Sequence, residues 1–488
     1  MDNPTKAEKE HNAGEGKPQE SESHDHGEKK SEKVTEVELN FNLDSIKSML
    51  KPVVKYGVGY GLIFAVLAVL MVVSLMYTYL SIYFYVTLGL MIISAVISAL
   101  FTKHKAPFYA LLFTAIILGL VIRTASLPAL GATPLVGNAY LGMGGSLTGL
   151  DPYEFYDLMK DVIATGNVPV INHLQYLPIG LASRSQEVLI SFFGAYMYRF
   201  MQPLVPAATP MTWFMIYPPI VAIVMTLLLF FILLYIFKDY WMASLGALVF
   251  PAFETLLGRT SAGFSTKTAM GFMFIFLSLF MLVKIFTSKD RNSKLLYGFL
   301  MAISVGFAAI TSGYAEFSVI IIPMTYLLLI MFEFDKKEDL YAFLPFGLFL
   351  AFEASFLNFG LSNLLSFQLF PMYFVYLVIL FKLFVYDKYR DRLKIPYINE
   401  GTSPVIYALI IGFVISLLPK LNLLHKLLTF ISSEIAHPLG LGAVNPLSLT
   451  IAEYGTVNLA ERFSEYNFVV SGVGVNFLLL PVKLRLKL

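Results

Sequence analysis

Carboxylates, hydroxyls and a few basic side chains carry nearly all the polar chemistry open to this 488-residue chain, which has no cysteine and only seven histidines. Thiolate zinc sites, iron–sulfur clusters and disulfides are thereby excluded, and any bound metal must be hard and held by oxygen. Three segments concentrate such groups. The first, GLDPYEFYDLMKDVIATGNVP, puts Asp151 directly before Pro152, an order that suits a helix start capped by the Asp side chain with Pro at the first helical position. Glu154, Asp157 and Asp161 follow at spacings of three and four, so one helical face carries them as an acidic, solvated patch. The second segment, GRTSAGFSTKT, carries Arg259 and Lys267, and snorkelling to a membrane surface accounts for basic residues in that position equally well. The third, NPLSLTIAEYGTVNLAERF, holds Glu453 in weakly charged surroundings, where a single carboxylate signifies nothing by itself.

The elements that must position these groups are membrane helices. Hydrophobic residues make up 57% of the chain and charged ones 14%, against roughly 25% charged in a soluble domain. The apolar residues come in runs of about twenty, the length needed to cross ~30 Å of hydrocarbon at 1.5 Å per residue. No alternating barrel pattern is present, so the fold class is all-α, a polytopic transmembrane bundle of about 12 helices. Residues 1–45, rich in Glu, Lys, Ser and Gly, predict a disordered cytoplasmic tail whose His24 and His26 are polar filler, with no cleavable signal peptide ahead of the first span. Residues 46–105 predict an additional amino-terminal hairpin, and 106–488 the main transmembrane domain, with spans at 107–127, 211–237, 240–257, 269–286, 294–310, 317–332, 340–357, 361–386, 404–418 and 468–480.

Basic residues recur in alternate loops: Lys103 with Lys105, Lys238, Lys289 with Arg291 and Lys294, Lys336 with Lys337, and Lys388 through Lys394. The positive-inside rule makes that face cytoplasmic in a multi-pass cell-membrane protein. The long loops 128–210 and 419–467, with the short one around 258–268, then lie outside, and all three polar segments share the outer face. A formal net charge of +2 with no basic stripe gives no argument for a nucleic-acid partner. No pair of broken helices in corresponding halves supports a transporter. Glu254, Glu316 and Glu353, near outer span ends, are most simply interfacial carboxylates.

Together the three segments resemble, in order, spacing and membrane side, the signature loops of the oligosaccharyltransferase catalytic subunit of the archaeal type, over residues 107–480. Asp151, Pro152 and Tyr153 match its Asp-Pro-Tyr motif; Arg259, Thr260, Gly263 and Phe264 match its Arg-Thr-x-x-Gly-Phe motif; Thr450, Ile451, Ala452 and Glu453 match its Thr-Ile-x-Glu motif. The resemblance implies transfer of an oligosaccharide from a polyprenyl (pyro)phosphate carrier to asparagine in Asn-x-Ser/Thr acceptors. It implies lipid-linked oligosaccharide, acceptor polypeptide and membrane lipid as partners, with Asp151, Glu453 and Arg259 as catalytic residues. It further implies a divalent metal, Mn²⁺ or Mg²⁺, held by Asp151 and Glu453, which must then converge beside the 263–268 loop.

Two departures qualify that implication. Where the family places an acidic pair, this chain has Thr266, Lys267 and Thr268, and an ammonium repels a metal ion instead of coordinating it. The family's soluble carboxyl-terminal domain carries a Trp-Trp-Asp motif, whereas Trp213 and Trp241, the two tryptophans here, both lie in predicted spans. A second expectation therefore stands beside the first: a non-catalytic or truncated family member that binds lipid-linked glycan or assembles with a complete transferase or a separate soluble-domain protein.

Overall fold

The computed structural model describes residues 66–67, 69–70, 82–101, 105–127, 130, 146–173, 178–182, 188–206, 208–356 and 369–416. The chain divides into Met1–Lys55 and Tyr56–Leu488, and every described residue lies in the second unit. The expected tail, the loop at 419–467 and the span at 468–480 lie outside the described residues.

Helix α1 (Ile82–Phe101) leads into α2 (Ala106–Thr124). On the loop that follows stand α3 (Asp151–Thr165), a two-stranded antiparallel ribbon of β1 (Ile171–Asn172) and β2 (Leu181–Ala182), and α4 (Leu189–Met201). Then come α5 (Pro210–Phe237), α6 (Tyr240–Val249), α7 (Glu254–Thr260), α8 (Lys267–Thr287), α9 (Arg291–Thr311) and α10 (Ala315–Met331). The rest comprises α11 (Lys337–Phe343), α12 (Gly347–Phe356), α13 (Phe370–Phe381), the single turn α14 (Arg390–Leu393) and α15 (Thr402–Ser416).

Helices α2, α5, α8 and α9 are each long and apolar enough to cross a membrane, and α10 and α15 are shorter apolar helices. This is a multi-pass membrane protein, mostly helical apart from the short ribbon; the described residues do not establish the expected count of about 12 spans. Two expected spans are interrupted. The run at 240–257 breaks after α6 into a 3₁₀ turn, Phe250–Ala252, because Pro251 has no N–H to continue the helix. The run at 340–357 divides between α11 and α12 at another 3₁₀ turn, Leu344–Phe346, built around Pro345.

In lipid, helices gain little from excluding water, and their association depends on close backbone approach and on polar contacts. Helix α9 supplies the first with small residues every fourth position, Gly298, Ala302 and Gly306. A Cβ on Gly298 would stand 2.0 Å from the Ala342 carbonyl oxygen of α11, so only glycine fits there. Ser278 of α8 and Ser318 of α10 share a buried hydroxyl–hydroxyl bond of 3.1 Å. Lys294, in the first turn of α9, pairs with Asp339 of α11, and both are under 5% exposed.

A buried ion pair is expensive to break from one side because the survivor keeps its charge without a partner. Asp339→Ala is therefore expected to destabilise the chain by about 3–5 kcal/mol, and the Lys294→Met, Asp339→Leu double variant to recover most of that loss. Thermal unfolding in detergent checks this; equal losses in the single and double variants would contradict it.

Candidate functional site

The carboxyl-terminal end of α2 carries the one arginine of an otherwise apolar helix, and Arg123 is only 1% exposed. Its Nε donates to Thr260 Oγ1 at 2.6 Å, and its Nη1 donates to the carbonyls of Pro251 and Gly119 at 3.2 and 3.3 Å. The proline-terminated turn after α6 frees the Pro251 carbonyl that the guanidinium takes up. Thr260 Oγ1 in turn donates to the Leu256 carbonyl at 2.6 Å. One buried guanidinium thus gathers the end of α2, the turn after α6 and the end of α7.

From there the Arg-Thr-x-x-Gly-Phe segment is fastened almost residue by residue. The Ala262 amide donates to the Arg123 carbonyl at 2.8 Å, and Ser126 Oγ donates to the Ala262 carbonyl at 3.2 Å. Phe264 N–H closes a turn onto the Ser261 carbonyl at 3.1 Å, with Gly263 at its third position at φ +84°, a left-handed value that a type II turn needs there. Gly263 N–H reaches the Met215 carbonyl of α5 at 2.9 Å, Ser265 Oγ donates to the Phe214 carbonyl at 2.5 Å, and the Tyr217 hydroxyl donates to the Thr266 carbonyl. The Arg259 guanidinium stacks over the Phe264 ring 5.4 Å from its centroid, so two residues of the motif brace each other.

Onto this segment docks the chain that leads to Asp151. Thr148 N–H donates to the Gly263 carbonyl at 2.9 Å, and Ser146 N–H to the Leu130 carbonyl at 2.9 Å. The Tyr153 hydroxyl accepts from Leu147 N–H at 3.1 Å, which gives the tyrosine of Asp-Pro-Tyr a structural task. Helix α3 starts one residue earlier than the capping reading requires. Leu150 holds the N-cap position in a helical conformation with no side-chain cap bond, and Asp151 is the first helical residue. Its carboxylate is exposed and makes no hydrogen bond or ion pair with a described residue.

The α3 platform is itself well anchored. Pro152, Phe155, Leu158, Met159 and Val162 form its buried face. Ser191 of α4 donates to the Phe155 carbonyl at 2.9 Å, and Arg199 Nη2 takes the Ile163 carbonyl at 2.7 Å near the helix end. On the other face Lys160 pairs with Asp157 at 2.7 Å. Partial burial, with the neighbouring Asp157 charge, raises the Asp161 carboxyl above its ordinary range against the pull of Lys160.

The structure therefore brings Asp151's segment and the Arg259–Thr268 segment together; Thr450, Ile451, Ala452 and Glu453 lie outside the described residues. Arg123, Thr148 and Ser126 were not marked by any motif. An arginine inside the apolar run APFYALLFTAIILGLVIRT was the available signal, since ionisable residues in membrane helices are costly and must have a use. A divalent metal does not fit what is described. No group of three or more His, Asp or Glu residues is placed to hold one among the described residues. At the head of α8, Thr266, Lys267 and Thr268 offer two hydroxyls and an ammonium in place of anionic oxygens.

No family model matches the sequence, and no curated protein matches it either. Among solved structures, the chain is similar to the oligosaccharyltransferase AglB of Archaeoglobus fulgidus in complex with an inhibitory peptide and a dolichol-phosphate, at TM-score 0.50 and 16% identity. It is similar also to the Archaeoglobus fulgidus oligosaccharyltransferase in its apo form, at TM-score 0.52 and 15% identity. Each match covers 71% of this chain and 40% of the oligosaccharyltransferase chain. The chain shares the fold of that part of the archaeal enzyme, and the fold supports the family expected from the three motifs.

The junction makes opposite demands on two neighbouring glycines. A Cβ on Gly263 would meet Leu130 Cδ1 at 2.5 Å and Thr148 Oγ1 at 3.2 Å at a positive φ, whereas one on Gly258, inside α7, meets nothing within 4 Å. Gly263→Ala is expected to cost about 1–3 kcal/mol and to speed exchange of the Thr148 amide. Gly258→Ala is expected to be neutral or to stabilise by up to about 1 kcal/mol. Thermal unfolding and hydrogen exchange check both, and a harmless Gly263→Ala would contradict the docking.

Proposed function

We propose that this chain acts at the outer membrane face on a glycan carried by a polyprenyl (pyro)phosphate, transferring it to asparagine in Asn-x-Ser/Thr acceptors. The observation that carries the reading is the junction at Gly263, where the segment entering Asp151 is hydrogen-bonded to the Arg-Thr-x-x-Gly-Phe segment within a membrane fold similar to AglB. One AglB structure holds an inhibitory peptide and a dolichol-phosphate, and this reading gives the present chain ligands of the same two kinds.

In the proposed reaction the acceptor amide nitrogen attacks the anomeric carbon of the glycan and forms the new C–N bond. The C–O bond to the carrier breaks with its electron pair leaving on the phosphate oxygen, so the anomeric centre inverts. The proton lost from the amide goes to a carboxylate. Asp151, exposed at the first residue of α3 and without a partner among the described residues, takes that part. Glu453, with Thr450, Ile451 and Ala452, closes over the acceptor. Arg259, held against Phe264, adds positive potential near the acidic groups. No step is assigned to a metal ion.

A second reading is favoured by one observation: Thr266, Lys267 and Thr268 occupy the positions where the resemblance calls for a further acidic pair. On that reading the chain binds lipid-linked glycan without transferring it. The two are separated by incubating the purified chain with a lipid-linked glycan and a labelled Asn-x-Thr peptide. The transferase reading predicts glycopeptide, reduced about a hundredfold or more by Asp151→Asn. Donor binding without glycopeptide would overturn the transferase reading and leave the binding one.

A further inference from the structure

We propose that helix α4 seats its exposed aromatic side in the membrane surface, so that the lipid boundary is the partner that fixes the depth of the helix bearing Asp151. This contact does not depend on the reaction proposed above.

The sequence of α4, LISFFGAYMYRFM, carries large apolar side chains all round. Ile190, Ser191, Gly194 and Ala195 form its buried side. An opposite side that faced water would be polar. Instead Tyr196 and Phe200 stand there one turn apart, 56% and 75% exposed, and Leu204 follows just past the helix end at 68%. Phe192, Phe193 and Met197 flank them, half-buried. The one charged residue of the helix, Arg199, is turned back towards protein, donating from Nη2 to the Ile163 and Val162 carbonyls of α3 at 2.7 and 3.3 Å. A row of large apolar side chains at such exposure marks a surface that meets something other than water.

The level of α4 along α5 identifies what that surface meets. A Cβ on Gly194 would stand 3.1 Å from Phe214 Cδ2, and the Phe193 and Tyr217 rings lie 6.2 Å apart between centroids, so the middle of α4 sits beside the first turns of α5. The 28 residues of α5 extend about 42 Å, against ~30 Å of hydrocarbon and about 40–45 Å with the headgroups included. A spanning α5 therefore leaves at most about 12 Å outside the hydrocarbon at this end. Residues 214–217 lie roughly 6–10 Å from its start, so every such placement puts the middle of α4 within about 10 Å of the hydrocarbon boundary, the zone that interfacial helices occupy. Tyrosine concentrates at that level, as Tyr196 does here. The other side of α4 carries α3. A Cβ on Gly194 would meet Met159 Sδ at 2.8 Å, and Ser191 Oγ donates to the Phe155 carbonyl at 2.9 Å. With Arg199 near the far end, α3 is held on α4 at three points along its length, and its depth relative to lipid follows that of α4.

The chain has no cysteine, so single cysteines can be introduced and spin-labelled one at a time. Tyr196→Cys, Phe200→Cys and Leu204→Cys report on the proposed lipid side, and Ala164→Cys on an exposed position of α3. With the full chain in phosphatidylcholine nanodiscs, power-saturation electron paramagnetic resonance compares collisions with oxygen, which concentrates in lipid, and with a water-soluble nickel chelate. The ratio of oxygen to nickel accessibility is expected to be about threefold or more higher at position 200, and at 196 or 204, than at 164. Nickel accessibility at 200 equal to that at 164 would overturn the proposal by showing a surface in water. Protection of 196, 200 and 204 from both reagents would overturn it by showing a protein cover, from a second copy or another partner. The link to α3 is tested by amide hydrogen exchange in the same nanodiscs. Phe200→Glu should speed exchange over residues 155–163 by about threefold or more, with Phe200→Leu unchanged. Exchange unaltered by Phe200→Glu would overturn lipid as what holds the Asp151 helix in place.

Discussion

A guanidinium withdrawn from water into a membrane protein must find oxygens that are already in place, and Arg123 does so at Nε, with Thr260, and at Nη1, with the carbonyls of Gly119 and Pro251, while its buried Nη2 has no partner among the described residues. Each acceptor has to come from a different piece of chain: a threonine at the end of α7, a carbonyl released by the proline after α6, and a turn of α2 itself. Two nitrogens of one guanidinium therefore tie three elements together, and the Arg123 carbonyl extends the constraint by accepting the Ala262 amide. The loop between α7 and α8, polar and without a helix of its own, gains a defined path from these contacts. The segment ahead of Asp151 gains its own path by pairing with that loop.

The remainder of the described bundle supplies a stiff frame for this junction. Its stiffness has little to do with withdrawing apolar groups from water, because the lipid around them is as apolar as the core. Contacts that need small residues do more, as where Gly298 lies against the Ala342 backbone and Gly306 against Phe352. Polar pairs inside the bundle add bonds that are costly to open, Lys294 with Asp339 and Ser278 with Ser318 among them. The apolar helices beside the site, α5 and α8, meet at their amino-terminal ends, where the 263–266 stretch bonds to residues 214–217.

Much of this was legible in the sequence, and the rest was hidden for physical reasons. Apolar runs marked the membrane helices well; α5 at Pro210–Phe237 and α8 at Lys267–Thr287 fall within two residues of the runs that announced them. The breaks at Pro251 and Pro345 were missed, since hydropathy does not register a lost N–H. Asp151 invited a capping role that depended on the helix starting just after it, and a helical Leu150 moves the start back by one. The motifs placed Arg259, Gly263 and Phe264 on one loop but said nothing of Arg123, more than a hundred residues earlier in the chain, whose meaning depends on what folds beside it. Tyr153 could be recognised by type, while its bond to Leu147 N–H belongs to the folded chain alone.

The account turns on whether the heads of α3 and α8 can hold a divalent cation. An ammonium at the head of α8 and a single exposed carboxylate at the head of α3 make a poor site for a divalent cation. Electron paramagnetic resonance of Mn²⁺ titrated into the purified chain at micromolar concentration tests this most directly, because bound and hydrated Mn²⁺ give different spectra. The account predicts the spectrum of the free ion, unaltered by the protein. A bound signal at one ion per chain, abolished by Asp151→Asn, would contradict it.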